Sequence, residues 1–353
     1  MTTTANIPAD TQTSLERVLC YLQGKNPQRI AAFPLILNHA ARILGKPVGV
    51  YNRNGEVMGN SHVAAYKRYG HDLILIFSTT STLGEAMGTK MAFLDEDAPQ
   101  IAEPLIQKLD DIKKVHMPDP MKDGRLPVYL EATEICVREI GKETCVSTVL
   151  AGPFTTAAAL RPVDLFAKDL VKNKEWVHEL LEMCTVAGIR FIDEMLKRGS
   201  LPIIVEPIGS GSLVSPKHFH EFVAPYLKRL ADHIHKNGGG LPAVLHICGK
   251  TTPNWTPMLE ADFDIWSVDN VDLGKAKEAV GHRICLVGNV TPANLLKNTP
   301  EEIDAEAKEI CAKAMGNPRG FVLASGCEVP INTPPANVDA LINAARKYGR
   351  FDN

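Results

Sequence analysis

What most limits the folds open to this chain is an alternation. From about residue 70 onward, short runs rich in Val, Ile, Leu or aromatic residues take turns with longer amphipathic stretches. The runs at 72–79, 144–150, 201–206, 243–248, 264–269, 283–290 and 320–326 read as strands, each bounded by Gly, Pro, Asn or Asp. A weaker eighth run lies at 29–35. Helical patterns fill the spaces, at 175–198, 216–237, 300–315 and 336–348 among others. Ser215-Pro216 and Thr299-Pro300-Glu301-Glu302 each set a capping hydroxyl before a proline at the first helical position. Gly199, Gly238 and Gly316 fall where helices should stop. Eight strands alternating with helices predict a (β/α)8 TIM barrel of the α/β class rather than an open doubly wound sheet. No G-x-G-x-x-G follows a first strand, and Gly209-Ser210-Gly211 reads as a flexible loop ahead of the 216–237 helix.

A barrel of this kind takes roughly 250 residues, and this chain has 353. The surplus lies mostly before residue 140 and is expected to form extra N-terminal helices over one barrel end. Residues 15–353 are expected to be a single domain, and the polar start, 1–14, a disordered arm. The formal charge of −3, with no basic block, argues against a nucleic-acid binder. The longest fully apolar run, 73–77, falls far short of the roughly 20 residues that span a bilayer. With no apolar h-region at the start, a cytoplasmic protein is expected. The 8 cysteines show no repeating spacing, so most should be free thiols.

In such barrels the reactive groups sit at the C-terminal ends of the strands. Those ends read Glu206-Pro207, His246-Ile247-Cys248-Gly249, Asp269-Asn270, Gly288-Asn289 and Ser325-Gly326-Cys327-Glu328. His246 and Cys248 are i and i+2 on one strand and share a face. Cys327 arrives three strands further round at the corresponding level. One imidazole and two thiols suit zinc, and three protein ligands leave a fourth position open, the mark of a catalytic site.

The stretches LHICGKTT (245–252), MLEADFDIWSVDN (258–270), ICLVGNVTPANLL (284–296) and FVLASGCEVPINTPPANVDAL (321–341) resemble the uroporphyrinogen decarboxylase superfamily. Within it, H-x-C followed much later by S-G-C is similar to the zinc-dependent corrinoid:coenzyme M methyltransferases. The resemblance implies a barrel, a zinc (Zn2+) on His246, Cys248 and Cys327, and methyl transfer from a methylated corrinoid to a thiol acceptor such as coenzyme M. It also implies that the methylcobalamin is held by a partner corrinoid protein, and no D-x-H-x-x-G of the kind many such carriers use appears here. Alternatives in the same superfamily are a corrinoid-dependent demethylase, a methylcorrinoid:tetrahydrofolate methyltransferase, and the decarboxylase itself. The decarboxylases resemble one another in an arginine-rich N-terminal segment, whereas residues 29–45 here carry only Arg29 and Arg42.

Asp269 and Glu206 are the expected catalytic carboxylates. The resemblance makes Asp269 a candidate for the open metal position or for a partner of His246, and Glu206 stands where many relatives carry Asp in A-D-P. Asn289 and Ser210 are expected to contact substrate. Glu328 is left open between site and structure, and Cys285 is assigned to packing. A corrinoid partner would need a broad rim, expected from the loops after residues 80, 150, 206 and 290.

Overall fold

A computed structural model describes residues 7–351. Eight parallel strands carry the fold: β1 (Ala32–Leu35), β2 (Leu73–Ile76), β5 (Cys145–Ala151), β6 (Leu201–Val205), β7 (Val244–Ile247), β8 (Ile265–Val268), β9 (Cys285–Val290) and β10 (Phe321–Glu328). They neighbour one another in the order β1-β10-β9-β8-β7-β6-β5-β2. The ring closes between its two ends through Asp72, whose N–H donates to Ala32 O at 2.9 Å and whose Oδ2 accepts from the Ala32 N–H at 2.7 Å. This is the TIM barrel expected from the alternation. Helices lie outside each strand and bury apolar faces against it, Lys174–Lys197 and Pro335–Tyr348 being long examples.

The start signals are seen at work. Ser215 accepts from the His218 N–H, and Thr299 forms a reciprocal capping box with Glu302. The helix expected over 216–237 is not uniform, since Phe219–Val223 is a π-helical turn. Pro225 follows two residues later and has no N–H to return to the preceding turn, so the ladder widens there. An antiparallel hairpin, β3 (Lys90–Ala92) with β4 (Gln100–Glu103), has no counterpart in the sequence pattern.

Residues 1–6 of the expected N-terminal arm lie outside the described residues. Its described part is tied down: Asp10 pairs with Arg29 at 2.7 Å and with Arg346 at 3.2 Å. Helix Ser14–Leu22 then follows, opened by a Thr13–Glu16 capping box. Tyr21 from this helix donates to Phe321 O at 2.8 Å, at the start of β10, so the helix lies against the N-terminal mouth of the barrel. Among the described residues no helix is long and apolar enough to cross a membrane.

Candidate metal centre

Strand β7 alternates Val244, His246 and Cys248 toward the barrel interior, as the period of two requires. Cys327 joins them by an irregularity. Strand pairing advances from Phe33↔Ala324 to Leu35↔Glu328, so β10 spends more chain than β1 over the same rise. The surplus breaks the alternation, and both Cys327 and Glu328 face the cavity. The donor atoms of His246, Cys248 and Cys327 all lie within 4.8 Å of one another. Tetrahedral zinc needs donors separated by about 3.5–3.8 Å, a spacing inside that limit, and one imidazole with two thiols is a donor set the ion favours.

The imidazole is oriented from behind. Ser267 sits beside His246 on β8, and its Oγ lies 2.9 Å from Nδ1, which leaves Nε2 free for a metal. The two thiols behave as a pair. Their mutual hydrogen bond draws Cys248 below the usual thiol range; the same bond, with burial, pushes Cys327 up to about 12. One sulfur therefore ionises ahead of the other, and an ion held between them would displace both protons.

Asp269 is not among the three donors. Its Oδ2 accepts from the Gly249 N–H at 2.9 Å, and its Oδ1 lies where a Cβ on Gly326 would stand 2.7 Å away. The carboxylate thus holds the residue after Cys248 by a hydrogen bond and packs closely against the residue before Cys327, and Gly326 is needed for so close an approach. Ser267, not Asp269, holds His246. Asn289 donates its amide to Asp269 O at 2.7 Å and Val271 O at 2.8 Å, holding the loop that carries the aspartate instead of reaching into the cavity.

Glu206 is fully buried, accepting from the Phe154 N–H at 3.2 Å, the Thr155 N–H at 2.6 Å and the Thr155 hydroxyl. It caps the N-terminus of helix Pro153–Leu160, where a negative charge suits the dipole. Burial pushes its carboxyl up to about 7, against the pull of those hydrogen bonds. Ser210 is also buried, packed under the turn at Gly249. Gly152 presses against Glu206, and a Cβ on Gly211 would lie 2.5 Å from Lys250 O. The loops after β5 and β6 are therefore packed at these points, which corrects the expectation of a flexible Gly209-Ser210-Gly211 loop and leaves Glu206 and Ser210 no open rim position.

The sequence reading passed over Ser267, the one polar residue in an otherwise apolar β8 and therefore visible in principle. It also passed over a cavity of about 390 Å³ inside the barrel. His246, Cys248, Cys327, Glu328 and Thr79 line its upper end, and Tyr21 and Cys285 its lower end.

A sequence profile of the family described as uroporphyrinogen decarboxylase (URO-D) matches residues 13–348. A methylcobamide:CoM methyltransferase of Methanosarcina barkeri is 28% identical over 341 residues, covering 94% of this chain and 97% of its own. A uroporphyrinogen decarboxylase of Pseudoalteromonas translucida (strain TAC 125) is 25% identical over 304 residues, 84% of each chain. Among solved structures, a methyltransferase from Methanosarcina mazei superposes with a TM-score of 0.86 at 28% identity, over 96% of this chain and 99% of that one. With a barrel, a thiol–imidazole triad and a family profile that spans nearly its whole length, this chain belongs to the URO-D family, and it is similar there to the corrinoid methyltransferases.

Proposed function

We propose that this protein is a zinc-dependent methyltransferase that moves a methyl group from a methylated corrinoid, delivered by a separate corrinoid protein, to a small thiol. The observation that carries this reading is the convergence of His246, Cys248 and Cys327 within 4.8 Å at the C-terminal ends of two barrel strands. Bound there, zinc would supply the charge that keeps a thiol acceptor deprotonated at neutral pH and therefore nucleophilic.

The chain's own residues do the positioning. Ser267 fixes the tautomer and the plane of His246. Asp269 bonds the segment after Cys248 and packs against Gly326 beside Cys327, which helps to hold the donors in place before any ligand arrives. In the overall reaction the sulfur–carbon bond forms as the cobalt–carbon bond breaks, with the bonding pair staying on cobalt and the thiol proton leaving to solvent.

The decarboxylase alternative finds little support in the site. Arg29 is buried and paired with Asp10 and Asp72, so it is not free for a substrate with many carboxylates. All eight cysteines are free thiols, which supports a reducing, cytoplasmic setting.

The test is metal analysis followed by methyl transfer from methylcobalamin to a panel of thiols. About one zinc per chain and formation of a methyl thioether are expected. A zinc content unchanged in a Cys248→Ala/Cys327→Ala double variant would overturn the assignment.

A further inference from the structure

TIM-barrel interiors are normally filled by layers of side chains. Here about 390 Å³ is left open, in one cavity that begins at the metal-binding triad and runs down the barrel axis to Tyr21. That is the low end of the size range of small-ligand sites, roughly 300–1,000 Å³. Its walls are the inward positions of the strands, such as Phe33, Leu35, Leu75, Ile203 and Val287. Among the described residues no Lys or Arg lines it. The charged side chains on its wall are both acidic. Asp72 at the lower end is already paired with Arg17 and Arg29, and Glu328 at the upper end accepts two hydrogen bonds from Asn38.

Resting on the methyl-transfer reading above, we infer that this cavity receives the body of the acceptor, and that the acceptor is an alkyl thiol with an uncharged, apolar body. Coenzyme M, the acceptor named for the relatives, is a thiol with a sulfonate tail. A sulfonate in this cavity would lose its hydration, meet no cation and face a carboxyl group. An alkyl tail meets mainly apolar wall residues. Each added methylene that enters the cavity is worth about fourfold in affinity, until the volume is filled. The carboxylates of a folate placed here would again find no cation.

The decisive measurement needs no corrinoid and no turnover. Calorimetric titration of the zinc-loaded protein with methyl ethyl, methyl propyl and methyl butyl sulfide reads the binding of product bodies directly, with 2-(methylthio)ethanesulfonate as the charged comparison. Affinity is expected to rise about fourfold per methylene, and the sulfonate to bind at least about tenfold more weakly than the propyl compound. Ile203→Phe, which fills the middle of the cavity, should flatten the series. A flat series in the wild type, a tighter sulfonate, or no thioether binding at all overturns the inference. If the alkyl thioethers bind in this order and yet no thiol is methylated from methylcobalamin, the methyl-transfer reading fails and the cavity assignment stands.

Discussion

The two ends of the barrel each gather ionisable groups, and they treat them in opposite ways. At the N-terminal end Arg17 and Arg29 meet Asp10 and Asp72, with Arg17 and Arg29 both within 3.0 Å of Asp72. Every charge there has a partner inside the protein. At the C-terminal end an imidazole and two thiols converge with their coordinating atoms turned toward one another and no protein cation between them. The first cluster completes itself and closes the sheet; the second, on the reading proposed above, would be completed by an ion from outside. Self-sufficiency marks the structural end, and converging donors mark the proposed chemical end.

The largest effect should come from breaking the upper cluster. Cys327→Ala is expected to lose the zinc and to lower methyl transfer by about a thousandfold or more, while thermal unfolding of the metal-free protein moves little. Retained zinc with retained activity would erase the contrast between the ends. The lower cluster should answer in the opposite currency. Asp72→Ala leaves two buried guanidinium groups short of a partner and removes one of the two bonds that close β1 on β2, so a loss of about 3–5 kcal/mol is expected in denaturant melts. Zinc per folded molecule should not change.

A smaller effect sharpens the upper side. Ser267→Ala removes the oxygen beside His246 Nδ1 and is expected to weaken zinc binding by about 10- to 100-fold in chelator competition, with the fold intact. The smallest concerns Glu206, which lies near the upper end but is buried as a helix cap. Its folded-state carboxyl is raised from 4.5 to about 7. Its contribution is therefore fully present below pH 4.5 and is lost as pH rises through about 7, with a slope of at most about 1.4 kcal/mol per pH unit. Urea melts between pH 5 and 8 should show that decline, and Glu206→Gln should remove it. An unchanged slope in the variant would return Glu206 to the group of solvated carboxylates.

Much of this was legible in the sequence, for reasons that differ by element. The eight strands show because each inward face is apolar and each end is punctuated, and His246 and Cys248 follow from a strict period of two. Cys327 was located by its place near a strand end, yet its inward aim depends on the irregular pairing of β10, which no periodicity announces. The hairpin at Lys90–Ala92 and Gln100–Glu103 is mostly exposed and leaves no buried face to read. Glu206 reads as a catalytic carboxylate from its strand-end place because nothing local to it reveals that the helix after the neighbouring strand points its N-terminus at that position. Asn289 was placed correctly at a strand end and still faces a backbone, since strand-end position alone does not say which neighbour claims an amide.

The placement of Asp269 bears on the life history of the protein. It bonds the residue after Cys248, packs against the residue before Cys327, and is not itself among the three converging donors. On the zinc reading proposed above, the socket would be shaped by the chain more than by its occupant, unlike small domains that collapse when chelated. On that reading the protein would fold first and be fitted with its ion afterwards. The fraction carrying metal in a cell would then report how much zinc the cell can spare, and not how well the protein folds.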